Sequence, residues 1–347
     1  MFNKCFGWIC KFRKGLVIEM SEKKHWKRTK IKSDIVNVIN SRLHIEKCIN
    51  QIKEKKYLTY EQTTNEISYA IENAIPFFVG RFGQTEMNMV TQILNSRFLG
   101  ITDLKEAALK QLCNNAGFFS YSMDLAEKFT DLMIESCKEV DIQANWNLYM
   151  EDYMINEYAP TAKITPLRNI APWLKYREPE INSLPWSARL KGKKVLVINP
   201  FVDTIQKQYE NNREYIFNKI YPAEYILPEF ELYTVKAVQT IAGNRDDRFE
   251  NWFDALQWMK DECEKIDFDV AIIGCGAYGY PLAAHIKKLG KVAIHLGGAT
   301  QIMFGVYGKR WENFHSMKQN LINDYWVRPS EDEIPKNIDK VENGCYW

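Results

Sequence analysis

Among the eight cysteines of this 347-residue chain (Cys5, Cys10, Cys48, Cys113, Cys137, Cys263, Cys275 and Cys345), no two form a Cys-x-x-Cys pair. Scattered singly over this length they read as reduced thiols, which argues against a disulfide framework and a cysteine-held zinc. No stretch approaches the roughly 20 consecutive apolar residues that a bilayer crossing requires. Phe6-Gly7-Trp8-Ile9 is too short for a signal peptide, and Lys11, Arg13 and Lys14 follow it at once. No Ser-His-Asp or Cys-His set can be assembled from spacing, so hydrolysis through a covalent intermediate has no basis here. The expectation is a cytoplasmic protein, soluble or peripheral at the inner face of a membrane.

Charge of one sign is also lacking, at net +2 overall, until the chain is divided. Residues 1–32 hold ten Lys or Arg against Glu19 and Glu22, which leaves +8 there and −6 on the remainder. A mildly acidic body with a basic arm is not the pattern of a nucleic-acid-binding domain. The arm suits either peripheral contact with an anionic membrane surface or a solvated tail.

Hydrophobic residues at 46% and charged residues at 26% are ordinary for a folded domain. After the arm, Ile35, Ile39 and Leu43 predict a helix over 34–54. Thr63 with Glu66 reads as a capping box opening a helix that ends near Asn73. A strand over 76–79, a helix from Glu86 to about Phe98, a helix opened by Asp103 and Glu106, and one carrying Leu125, Phe129, Leu132 and Met133 complete a first half over 33–158. Residues 159–190 carry Pro160, Pro166, Pro172, Pro179 and Pro185, the composition of a partly extended connection between halves. The second half, 191–330, alternates apolar runs (Val195–Ile198, Leu232–Val238, Val270–Ile273, Val292–Leu296) with amphipathic stretches, and 331–347 follows as a tail. That alternation predicts an α/β fold, a Rossmann-like parallel sheet covered by helices, with a helical N-terminal portion. Ligands in such sheets sit beyond the carboxyl ends of the strands, so Asn199, Asp203, Gly274, Gly276, Gly279 and Gly297 belong on one rim.

Two segments share a strand, a glycine loop and a helix start. They are Pro76-Phe77-Phe78-Val79-Gly80-Arg81-Phe82-Gly83-Gln84-Thr85-Glu86 and Asp269-Val270-Ala271-Ile272-Ile273-Gly274-Cys275-Gly276-Ala277-Tyr278-Gly279. Glycines let backbone N–H groups approach a ligand where the helix presents its positive end, an arrangement suited to a diphosphate. Their other reading is tight packing of helix on strand. Gly274-x-Gly276-x-x-Gly279 has the spacing of a dinucleotide fingerprint, but no acid lies between Gly279 and Glu312 to hold the ribose, so NAD is not expected. Arg81 offers a rigid fork for phosphate or carboxylate. Thr85 suits a helix N-cap. Glu86 suits a first helical turn or a ligand contact. Asp203 is either a catalytic base or a helix-start acid. Asp246-Asp247 between Arg245 and Arg248 reads first as a charged turn, with metal binding as the rival. Lys236 and Gln239 interrupt an apolar strand, and His295 is a better site candidate than His285.

The Gly80–Glu86 segment resembles the Arg-Phe-Gly-Asp-x-Glu segment of bacterial GT-D-fold glycosyltransferases, and the strand, glycine loop and helix order of the second half is similar too. The likeness spans about residues 55 to 315. It implies a GT-D-like fold and transfer of a sugar from a nucleotide-diphosphate donor to a glycan or lipid-linked acceptor. The implied setting is bacterial surface polysaccharide or glycoprotein assembly. It further implies donor binding by Arg81, Gly83 and Gln84, with Gly274, Gly276, Gly279, Asn199 and His295 on the same rim. Glu86 would be the catalytic or metal-binding acid, and Asp203 the candidate base. Family members use a divalent metal at the Asp-x-Glu pair. Gln84 takes the Asp position here, which leaves Mn2+ or Mg2+ at Glu86 open. Two rival readings stand beside this one: an NAD-dependent oxidoreductase, and a non-catalytic nucleotide-sugar-binding partner.

Overall fold

The computed structural model describes residues 20–35, 37 and 56–347. Helix α1 covers 20–35. The first half continues with α2 (Tyr60–Glu72), β1 (Phe77–Arg81), α3 (Gln84–Leu99), α4 (Lys105–Ala116), α5 (Met123–Cys137), β2 (Ile142–Asn145), α6 (Glu151–Tyr158) and β3 (Lys163–Pro166). The second half holds β4 (Lys194–Asn199), α7 (Val202–Asn212), the single turn α8 (Ala223–Ile226), β5 (Glu231–Lys236), α9 (Trp252–Glu264), β6 (Val270–Ile273), α10 (Gly279–Lys288) and β7 (Val292–His295). All seven strands join one sheet in the order β3-β2-β1-β7-β6-β4-β5. Every pairing is parallel.

Alternation along each strand divides the interior into two cores. Phe78, Leu196, Ile198, Ala271, Ile273 and Ala293 face one side, under α3, α4, α5, α9 and α10. Val79, Val195, Val197, Ile272, Val292 and Ile294 face the other, with Trp186, Ile205 and Phe304 among their partners. Both faces are covered, which is why β6 is apolar throughout and β7 is apolar up to His295. Because β1 pairs with β7, the two halves of the chain share a single sheet.

The structure differs from the sequence reading at several local points. The capping box of α2 is Thr59 with Gln62, not Thr63 with Glu66. Thr63 instead lies inside the helix, bonded to the Thr59 carbonyl and to Thr165. The N-cap of α3 is Gly83, which moves Thr85 into the first turn. The stretch 159–190 is more than a connection: it supplies edge strand β3 and buries Ile170, Trp173, Trp186 and Leu190. Most of the expected helix 34–54 lies outside the described residues. Within the basic arm, α1 is docked, with Trp26 wholly buried and its Nε1 donating to Asn95 Oδ1 at 3.0 Å.

Candidate active site

The carboxyl ends of β1, β2, β4, β6 and β7 open on one cleft of about 670 Å3, with Arg81, Glu86, Trp146, His295, Arg310 and Tyr346 in its wall. Parallel sheets place ligands at this edge because their loops and helix N-termini converge there.

Arg81 ends β1 with its guanidinium carbon 4.9 Å from the centre of the Trp146 ring. That ring is fixed by Nε1, which donates to the Phe82 carbonyl at 2.9 Å. The loop bearing Trp146 is built from two left-handed residues, Asn147 (φ 64°) and Met150 (φ 62°). Such geometry persists only where neighbours over-determine it. The neighbour here is Glu151, wholly buried, whose Oε2 accepts from the Trp146 and Leu148 backbone N–H groups at 3.2 and 2.9 Å. Burial pushes the Glu151 carboxyl up to about 8, against the pull of those two N–H groups. On the far side of Arg81, a Cβ at Gly297 would lie 2.9 Å from Nη1, so the glycine leaves room for the guanidinium. Among the described residues no carboxylate comes within salt-bridge distance of Arg81, and its buried Nε has no acceptor.

Glu86, in the first turn of α3, folds its carboxylate back over Gly83 and is itself buried. Burial raises its pKa, with the Arg81 charge and the Glu86 backbone N–H pulling the other way. A buried carboxyl with a raised pKa beside a cleft is a candidate for proton transfer. Gln84 is exposed at the mouth. As a donor set for a divalent ion this is poor. Gln84 is neutral, Glu86 is a single buried carboxyl, Arg81 is cationic, and no group of three His, Cys, Asp or Glu is placed for a metal among the described residues.

The remaining candidates separate. His295 is buried at the end of β7, and neither ring nitrogen has a hydrogen-bond partner. Burial first and the Arg81 charge second push it down to about 3, against the pull of the nearby Arg81 backbone, so it is neutral. Asn199 also lines the cleft, but its amide is spent on protein: Nδ2 donates to the Gly274 carbonyl at 3.0 Å and Oδ1 accepts from Phe201 N–H at 2.9 Å. The three fingerprint glycines are explained by packing. A Cβ at Gly274 would meet the Gly297 carbonyl at 2.4 Å, one at Gly276 (φ 57°) the Ala116 carbonyl at 2.7 Å, and one at Gly279 His295 Nε2 at 2.4 Å. Gly274 and Gly276 still line the cleft, whereas Gly279 lies beneath His295. Asp203 is not in the cleft wall. It sits exposed in the first turn of α7, paired with Lys236 at 2.5 Å, which answers to its helix-start reading. Asp246 is bound by Arg248 at 2.7 Å as a charged turn. His285 pairs with Glu264 at 2.9 Å on the surface of α10. Burial pushes the Cys275 thiol well up, so it presents no thiolate.

Sequence reasoning missed Trp146, Glu151 and the wall supplied by 341–347. Val341, Glu342, Tyr346 and Trp347 line the cleft beside Arg310, whose guanidinium lies 4.4 Å from the Tyr346 ring centre. Arg310 Nη1 donates to Tyr346 Oη at 2.9 Å and Nη2 pairs with Glu342. The stretch read as a tail is thus part of the cleft. An aromatic-rich ending, Cys345-Tyr346-Trp347, was the one signal available.

Residues 232–303, from β5 past β7, match the family model of the GT-D fold-like domain. The matched stretch carries β5, α9, β6, α10 and β7 of the parallel sheet, so a GT-D-like domain lies in the second half of the chain. Two solved structures are similar in outline. One is a selenomethionine-substituted domain of unknown function 1792, with 12% identity over 73% of this chain and 82% of that one, at a TM-score of 0.42. The other, with 12% identity over 72% and 80% and a TM-score of 0.38, is described as the highly conserved domain of unknown function 1792 with a distinct glycosyltransferase fold. No curated protein matches the chain.

Proposed function

We propose that the chain is a glycosyltransferase that moves a sugar from a nucleoside-diphosphate donor to a hydroxyl of a glycan acceptor, in surface polysaccharide or glycoprotein glycan assembly. One observation carries this reading: Arg81, the α3 N-terminus and the Gly274–Gly276 loop meet on a single cleft at the strand ends of a GT-D-like sheet. The donor diphosphate would lie against Arg81 and the open N–H groups of α3. Glu86 would take the acceptor proton, the role for which its raised pKa suits it. An NAD-dependent oxidoreductase is the rival reading, and it lacks an acid between Gly279 and Glu312 to hold the ribose. The test is a panel of nucleoside diphosphates and nucleotide sugars, read first by melting and then by sugar transfer or donor hydrolysis. At 100 times the dissociation constant a ligand should add about 2.7 kcal/mol of stability. No shift with any of them would sink the reading. Binding without turnover would favour a non-catalytic nucleotide-sugar-binding partner.

Peripheral membrane contact is proposed through α1. Met20, Ile31 and Ile35 are exposed there beside exposed Lys23, Lys24, Lys27, Arg28 and Lys32, an apolar and basic face suited to an anionic surface and a lipid-linked acceptor. No helix among the described residues is long and apolar enough to cross a membrane.

A further inference from the structure

Resting on the reading of the cleft as a nucleoside-diphosphate site, we infer that the diphosphate is held by two guanidiniums, Arg81 and Arg310, in place of a divalent metal ion. The two cations flank the loop Gly297-Gly298. A Cβ at Gly297 would lie 2.9 Å from Arg81 Nη1, one at Gly298 would lie 2.5 Å from Tyr346 Cε1, and Tyr346 carries Arg310 on its ring. Arg81 is the open half of the pair: Trp146 holds it by the face, and among the described residues no carboxylate comes within salt-bridge distance of it, although its charge acts on Glu86. Arg310 is the occupied half. Glu342, half exposed, sits on its guanidinium, and a carboxylate there occupies the position a phosphate oxygen would take.

The segment carrying Glu342 is strained. Glu342, Asn343 and Gly344 have φ of 47°, 57° and 73°, a left-handed run that a non-glycine residue adopts only under constraint. Incoming phosphate that displaced Glu342 would leave the carboxylate in water. Further donors lie close by. Helix α3 begins at Gly83 with no side-chain cap, and His295, buried with both nitrogens unpartnered, lines the same cleft.

The acids tell against a metal. Among the described residues, Glu86 and Glu342 are the only acidic side chains in the cleft wall, the first buried over Gly83 and the second paired with Arg310. A divalent ion would therefore enter a site with two fixed cations and no pair of free carboxylates. Two guanidiniums perform the same electrostatic task without it. As the bond from the sugar anomeric carbon to the β-phosphate oxygen breaks, its electron pair passes to that oxygen, and the guanidiniums stabilise the developing charge. The acceptor oxygen bonds the anomeric carbon and releases its proton to a base.

The experiment is calorimetric titration of the full chain with UDP, GDP, ADP and CDP, each in EDTA and in excess Mn2+. The expected result is binding of at least one, with affinities in EDTA and Mn2+ agreeing within about threefold. Arg81→Ala and Arg310→Ala should each weaken it by about tenfold or more, the worth of a charge-assisted hydrogen bond. Glu342→Gln, a change at an exposed residue that should leave folding intact, should tighten it severalfold. Binding only in Mn2+, or unchanged affinity in Glu342→Gln and Arg310→Ala, overturns the inference and leaves the donor-site reading standing. Binding of none, in EDTA or Mn2+, removes both.

Discussion

The Glu86 carboxylate occupies the space that a side chain on Gly83 would need: a Cβ built on Gly83 would fall 2.0 Å from Glu86 Oε2. The glycine three residues before the acid is thus what allows the carboxyl to turn back toward the cleft. If Glu86 accepts the acceptor proton, Glu86→Gln should lower turnover by about 10²-fold, equivalent to about 2.7 kcal/mol of transition-state stabilisation. The melting temperature should barely move, because as a helix-dipole partner alone the acid contributes only about 0.3–1 kcal/mol. Gly83→Ala should lower turnover as well, by displacing the same carboxyl. Unchanged activity in Glu86→Gln would place the chemistry elsewhere.

Trp146 holds Arg81 against one wall of the cleft. Trp146→Leu keeps an apolar residue but removes the stacked face, and a partly desolvated cation–π contact contributes about 0.5–2 kcal/mol. The dissociation constant of a bound nucleoside diphosphate should rise by about 2- to 30-fold, which titration would detect. An unaltered constant would mean that Arg81 is positioned by its strand alone.

Glu151 and His295 make opposite demands on pH. The Glu151 carboxyl, ordinary at 4.5 and raised to about 8, binds its proton more tightly in the folded chain. Its contribution is complete below about pH 4.5 and is lost as pH rises through about 8. His295, ordinary at 6.5 and lowered to about 3, contributes stability that is complete above 6.5 and lost as pH falls toward 3. Between pH 6.5 and 8 the histidine is neutral in both states, so denaturant melts should show falling stability with rising pH. In Glu151→Gln that slope should shrink. A slope of equal size in the variant would show that Glu151 is ionised in the fold.

Gly276 has φ of 57°, and its Cβ position lies 2.7 Å from the backbone carbonyl of Ala116 at the end of α4. A left-handed conformation costs a non-glycine residue about 1–2 kcal/mol, and the clash falls on backbone that cannot swing aside. Gly276→Val should therefore lower stability by more than that amount and disturb the cleft wall, so that ligand binding is lost in whatever fraction folds. A variant with wild-type stability and binding would show that the loop adapts freely.

Removing the basic arm would do more than remove charge. Trp26 is wholly buried and bonded to Asn95, so a chain beginning at Ser33 should lose about 3–5 kcal/mol, as Trp→Ala changes in cores do. The membrane contact is better tested by charge reversal on the exposed face, Lys24→Glu with Lys27→Glu and Arg28→Glu. The full chain should sediment with anionic vesicles at low salt and release at high salt, and the triple variant should stay folded in solution. Equal sedimentation of both would remove α1 as the contact.

The strands of the second half were legible because Val195–Ile198, Val270–Ile273 and Val292–Ile294 are apolar runs set between amphipathic helices, a local pattern that neighbours in sequence suffice to impose. So was the presence of Arg81 and Glu86 on a rim, since a glycine loop between strand and helix has only one end of the sheet to occupy. Strands β2 and β3 were not legible. Four residues each, carrying Gln143, Asn145 and Lys163, they alternate too little to signal a strand, and pairing with β1 makes them one. Nor could local pattern explain the glycines, since what forbids a side chain at Gly274, Gly276 and Gly279 is Gly297, Ala116 and His295, brought there by other elements. The identity of the cleft belongs to the tertiary structure for the same reason. Trp146, Arg310 and Glu342 lie far from Arg81 in the chain, and only the order of seven parallel strands and the path of the last residues bring them to one wall.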